Sequence, residues 1–146
     1  MLELLNLVLI ISVAAVMYAA WLAREVLSQS KGTKEMQHIA NAIEKGANAF
    51  LKRQYSTIAL ISVAIAVIIF VGYTFLGKPE DAWLTSISFI FGAFCSGLAG
   101  YIGMWIAVRT NLRTAASAEK GINTSLTTAL KGGAVSGFMI VALSLL

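Results

Sequence analysis

From Ile58 to Leu76 the chain runs nineteen residues without a charged side chain, and twelve of them are Leu, Ile, Val or Phe. As a helix this run reaches about 28 Å, close to the roughly 30 Å hydrocarbon thickness of a bilayer. At about 0.3–0.6 kcal/mol per side chain near mid-bilayer, it favours insertion by roughly 4–7 kcal/mol, an upper figure because the gain fades toward the ends. The rest of the chain is built the same way. Only 12% of its 146 residues are charged, against about one quarter in soluble domains. Those charges are gathered into a few clusters between long apolar runs. That distribution predicts an all-α, polytopic transmembrane protein.

Three further apolar segments follow the same logic. Leu4 to Leu22 ends with Tyr18 and Trp21 at interface depth and Arg24 beyond them. It lacks the basic leading region of a secretory signal peptide and carries Glu3 instead, so it reads as a retained helix. The third span runs from about Trp83 to Val108, after a Gly77–Asp81 turn in which glycine suits a helix C′ position and Pro79 cannot continue the helix. Asp81 is the expected cap of this span and Trp83 its interface anchor. The fourth apolar run, Gly132 to Leu146, is too short to cross unless the helix starts near Thr124 and Lys131 snorkels. The spans are thus about 4–22, 58–76, 83–108 and an incomplete 125–146. The expectation is one membrane domain that continues into a larger helical bundle.

Between the first two spans, Gly32 and Thr33 break the chain. Thr33 is a plausible N-cap, with Glu35 in the first turn. From there Met36, Ile39, Ala40, Ile43, Ala47, Phe50 and Leu51 recur at three- and four-residue steps, opposite Lys34, Gln37, Asn41, Glu44, Lys45, Asn48 and Lys52. This predicts an amphipathic helix over about 33–53. It is expected to run into the second span as one rod, its alanine-containing face covered by helices rather than lying on lipid.

Phe91 to Gly121 combines many glycines with little charge and then turns basic. An interior glycine costs a soluble helix about 1 kcal/mol relative to alanine, whereas in a membrane small side chains let helices approach closely. Gly92, Ser96 and Gly100 form one four-residue stripe, and Ala99, Gly103 and Ala107 another. Both fit close neighbours on more than one side.

The formal charge of +4 and a pI near 9.4 do not indicate nucleic-acid binding, because every Lys and Arg lies between apolar segments, where topology requires it. Six Lys/Arg fall in 24–53, one in the Gly77–Asp81 turn and four in 109–131. The positive-inside rule makes both basic connectors cytoplasmic and puts the N-terminus outside.

No catalytic, cofactor-binding or metal residue is assigned. The second and third spans hold no ionisable group of the kind that marks transport pathways, and no aspartate cluster or phosphate-binding glycine loop is present. Arg109, Asn111 and Arg113 could attract a phosphate-bearing substrate, but the positive-inside rule already accounts for them as topology anchors. His38 has no partner ligand nearby and reads as solvated. Cys95, the only cysteine, reads as a small packing residue.

Two stretches resemble the N-terminal part of the membrane-integral, H⁺- or Na⁺-translocating inorganic pyrophosphatases. One is Gly32-Thr33, Met36, Ile39-Ala40, Ile43 and Gly46-Ala47-Asn48-Ala49-Phe50-Leu51 with Arg53 and Tyr55. The other is Phe91-Gly92-Ala93, Ser96, Gly100, Gly103-Met104, Ala107, Asn111 and Arg113-Thr114-Ala115. The resemblance implies a homodimeric pump that hydrolyses pyrophosphate at a cytoplasmic Mg²⁺ site and moves an ion outward. This chain would supply its first three helices and part of the fourth, as outer-ring scaffold. The family's catalytic and gate residues lie on later helices, so none is carried over here. The piece alone is expected to be inactive, and the determinants of H⁺ against Na⁺ and of K⁺ dependence lie outside it. The alternatives are a complete small four-helix transporter, which would need a buried carboxylate, and a structural membrane subunit.

Overall fold

The computed structural model describes residues 2–145, with side chains from 3 to 145. Among these residues it is all helix: α1 (Leu2–Leu27), α2 (Lys34–Phe75), α3 (Pro79–Ala118) and α4 (Ile122–Leu145). All four are long and apolar enough to cross a membrane. Their lipid-compatible faces are bare: Leu60 is 72% exposed and Ile68 69%, as expected where hydrocarbon rather than water is the solvent.

Local chemistry sets most of the helix ends. Thr33 caps α2 as expected, its hydroxyl accepting from the Met36 amide at 3.3 Å. Gly32, at φ +69°, takes the left-handed turn that precedes it, and the Gln37 side-chain amide donates to the Gly32 carbonyl at 3.1 Å. Gly77 ends α2 at φ +74°. Pro79 then opens α3, whose N-cap is Lys78 without a side-chain cap bond. Asp81 therefore does not cap α3. Proline fits the first helical position because its missing N–H would be unsatisfied there anyway, and Asp81 lies inside the first turn beside Glu80, near the positive end of the dipole.

The amphipathic stretch and the second span form a single helix of 42 residues, about 63 Å long. Its apolar face is only partly covered. Leu51 is buried, but Ile39, Ile43 and Phe50 are more than half exposed, because α3 reaches only one edge of the extension. At the other end of the chain α4 starts at Ile122, well before the apolar run, and its 24 residues give about 36 Å, enough to cross.

α3 is the central element, packing against α2 on one side and α4 on the other, while α1 packs mainly on α4 and touches α3. The α1/α3/α4 junction holds a cluster of Ala19, Leu22, Ile106 and Val135. α3's glycines allow its close approaches. A Cβ at Gly100 would lie 2.6 Å from the Tyr55 hydroxyl on α2, and one at Gly97 3.4 Å from the Tyr55 ring. Gly103 faces Ser136 of α4. Of the two stripes, Gly100 meets α2 and Gly103 meets α4, while Gly92 meets no neighbour within 4 Å.

Candidate functional site

Polar chemistry gathers where the C-termini of α1 and α3 meet the N-terminal ends of α2 and α4. This end of the bundle carries both basic connectors.

Arg113 anchors it. The residue is 5% exposed. Nε and Nη2 donate to the Leu27 carbonyl at 3.3 and 2.9 Å, and Nη1 donates to the Arg109 carbonyl at 2.8 Å. Leu27 closes α1, so Arg113 satisfies a carbonyl left free at a helix end and places its charge at the negative end of that helix dipole. One turn earlier Arg109 pairs with Glu44 on the α2 extension and stacks 4.3 Å over the Trp105 ring. Asn111 faces elsewhere, exposed beside Met36 and Ile39. The basic cluster read in the sequence is therefore split: its two arginines share a face and tie α1 and α2 to α3, while Asn111 joins neither.

A second set joins the end of α1, α3 and α4. Lys131 pairs with Glu25, so a partner on α1 holds its ammonium. Thr128 Oγ1 lies 2.8 Å from Gln29 Oε1 and Ser117 Oγ 2.6 Å from the Arg113 carbonyl, with 3.3 Å between the two hydroxyls. Ser125 donates to the Thr114 carbonyl at 3.0 Å. Sequence inspection missed this network. Gln29, Ser117 and Thr128 have no local pattern that distinguishes them from ordinary helix-end polar residues.

Between α1's end, the α2 extension and α3 lies a cavity of about 370 Å³, lined by Lys31, Gln37, Asn41, Glu44, Arg109 and Arg113 together with apolar residues. It opens beside exposed Lys31. At the N-terminus of α2, hydrogen bonds from its own backbone N–H and from the Thr33 hydroxyl hold the Glu35 carboxyl below the usual carboxylate range. His38 is exposed, and Cys95 is buried on α3 as a free thiol. Among the described residues no three His, Cys, Asp or Glu side chains gather as a metal site. Of the acids at this end, Glu25 and Glu44 each face a cation. The arrangement clamps helices and presents positive charge.

Four membrane-length apolar helices with a polar, basic end define a multi-pass integral membrane protein. A family model described as "Inorganic H+ pyrophosphatase" matches residues 13–146, and the chain belongs to that family. It is 45% identical over 148 residues to a K(+)-insensitive pyrophosphate-energized proton pump of Caldanaerobacter subterraneus subsp. tengcongensis, covering 97% of this chain and 21% of the relative. It is 46% identical over 134 residues to K(+)-insensitive pyrophosphate-energized proton pump 2 of Moorella thermoacetica, covering 92% of this chain and 19% of the relative. To pyrophosphate-energized membrane proton pump 3 of Arabidopsis thaliana it is 33% identical over 150 residues, covering 95% of this chain and 19% of the relative. The chain thus spans about one fifth of the length of these curated relatives. No solved structure matches it with significance.

Proposed function

We propose that this chain serves in a pump that couples pyrophosphate hydrolysis to outward proton movement. The observation carrying this reading is the family match over residues 13–146. Protons are preferred to Na⁺, and independence of K⁺ is proposed, because two relatives at 45% and 46% identity are named K(+)-insensitive proton pumps. The charge distribution supports a cytoplasmic basic end and an outer N-terminus.

Within such a pump this stretch acts as scaffold. Ionic contacts near the membrane surface join its helices: Arg109 with Glu44, Lys131 with Glu25, and Arg113 with the end of α1. We assign no Mg²⁺ ligand to this stretch: at its basic end Glu25 and Glu44 are each engaged with a cation. Any Mg²⁺ serving pyrophosphate hydrolysis would be held by other parts of the pump, which is expected to be a homodimer.

The test uses inverted membrane vesicles containing the protein as its own gene encodes it. Adding pyrophosphate should acidify the lumen without added K⁺ or Na⁺. A requirement for Na⁺, with no acidification, would move the assignment to sodium transport, and absence of any pyrophosphate-dependent turnover would sink the reading. The 146 residues expressed alone should not hydrolyse pyrophosphate.

A further inference from the structure

Arg113 is a buried cation with no carboxylate partner among the described residues: their ion pairs are Arg109–Glu44 and Lys131–Glu25. Its hydrogen bonds go to two backbone carbonyls. The end of α1 offers roughly half a negative charge, which offsets only part of a guanidinium removed from water. Buried charges are ordinarily paired, because desolvating one alone is expensive. Here the imbalance is compounded. Arg109 and Lys31 line the same cavity as Arg113, and Glu44 is the one acid among them, leaving a surplus of two positive charges. Unused N–H groups remain on the Arg113 guanidinium, since only three of its five donors are engaged.

The depth of the cavity narrows the class of anion. Arg113 is level with Leu27, five residues or about 7.5 Å beyond the apolar run of α1 that ends at Leu22. Arg109 is one turn nearer the hydrocarbon and lies over Trp105, an aromatic residue of the kind enriched at membrane interfaces. The headgroup layer is about 5–7 Å thick on each side of the hydrocarbon. Arg109 therefore falls within this layer and Arg113 at its outer edge, so the cavity faces both lipid phosphates and the adjoining water, and planar guanidinium groups suit phosphate oxygens.

We propose that this cavity binds a phosphate group, with Arg113 as its buried cationic floor, Arg109 beside it and Lys31 at the mouth. The phosphate could be the head of an anionic lipid or a free phosphate ion from the adjoining water. The proposal does not rest on the pump assignment.

The test is native mass spectrometry of the protein as its gene encodes it, in detergent. It is offered dioleoylphosphatidylglycerol or dioleoylphosphatidylcholine, and in a separate arm inorganic phosphate without lipid. The anionic lipid should bind more tightly than the zwitterionic one, and Lys31→Gln and Arg109→Gln should each weaken it about fivefold. Lys31 is exposed, so its variant leaves folding untouched. Lys120→Gln, an equal charge loss at the same end of the bundle but outside the cavity lining, should change nothing. Phosphate binding without lipid, weakened by the same two variants, identifies the soluble source; retention of the lipid alone identifies the membrane source. Equal retention of both lipids with no phosphate binding overturns the proposal, as does a loss in Lys120→Gln matching that in Lys31→Gln. A structure showing a carboxylate of another segment bonded to Arg113 overturns it too.

Discussion

The Tyr55 hydroxyl on α2 donates to the carbonyl of Gly97 on α3 at 2.9 Å, forty-two positions away in sequence. The ring can approach only because α3 offers hydrogen in place of a side chain at Gly97 and Gly100. Tyr55→Phe keeps the ring and removes the bond. It should cost about 0.6 kcal/mol, and no more than about 1.7 kcal/mol, the range of polar contacts between membrane helices. Denaturation of the protein in mixed micelles would measure it, and a loss well beyond that range would mean the hydroxyl has a second partner.

Gly132 and Gly133 are adjacent but face different surroundings. A Cβ at Gly132 would fall 2.6 Å from Thr110 Oγ1 and 2.8 Å from its Cβ, whereas one at Gly133 meets nothing within 4 Å. Thr110 is β-branched and cannot swing aside cheaply. Gly132→Ala should therefore destabilise the α3/α4 contact by about 1–3 kcal/mol. Gly133→Ala should be neutral, or stabilising by up to about 1 kcal/mol through helix propensity. Equal effects in the same unfolding assay would contradict the close approach.

The Lys131–Glu25 pair joins α4 to α1, and both side chains are about one-third exposed. Solvent screening limits the coupling, so a double-mutant cycle with Lys131→Met and Glu25→Gln should return about 1 kcal/mol or less. Glu25→Gln alone should be the milder change, since its amide oxygen can still accept from Lys131, whereas Lys131→Met strands a carboxylate whose Oε2 already lacks a partner among the described residues. The reverse order would show that Glu25 serves another contact.

Glu35 supplies a pH dependence. Its folded-state pKa is lowered, chiefly by its own backbone hydrogen bond and then by Thr33. The stabilisation is therefore present above the ordinary carboxylate pKa and is lost as pH falls through the lower folded value. Amide exchange at Glu35–Gln37, corrected for intrinsic rates, should lose protection across that acid window. Glu35→Gln should abolish the pH dependence while Thr33 continues to cap.

The helices and their membrane character were legible because hydropathy and charge clustering act over whole turns. The Thr33 cap and the Gly77 turn were legible because their partners are local. What pairs across the bundle was not. Arg113 meets Leu27 eighty-six positions away and Lys131 meets Glu25 at 106, separations that leave no periodic trace. Tyr55 read as part of a resemblance, and nothing nearby marks it as the residue that needs Gly97. Asp81 misled for a different reason: it is a good cap residue, but Pro79 starts the helix two positions earlier, at the one helical site that suits it.

The unbroken α2 has a mechanical consequence. Its contact with α3 through Tyr55 falls near the midpoint of Lys34–Phe75, leaving arms of about 30 Å on either side. Because α3 also holds α2 at Glu44, Ala66 and Phe70, the two helices tilt as one stiff pair: any rocking that carries the Lys34 tip one way carries the Phe75 end the other way. With no proline or kink to absorb the motion, a push on the extension at one membrane face would be delivered, reversed in direction, at the opposite face.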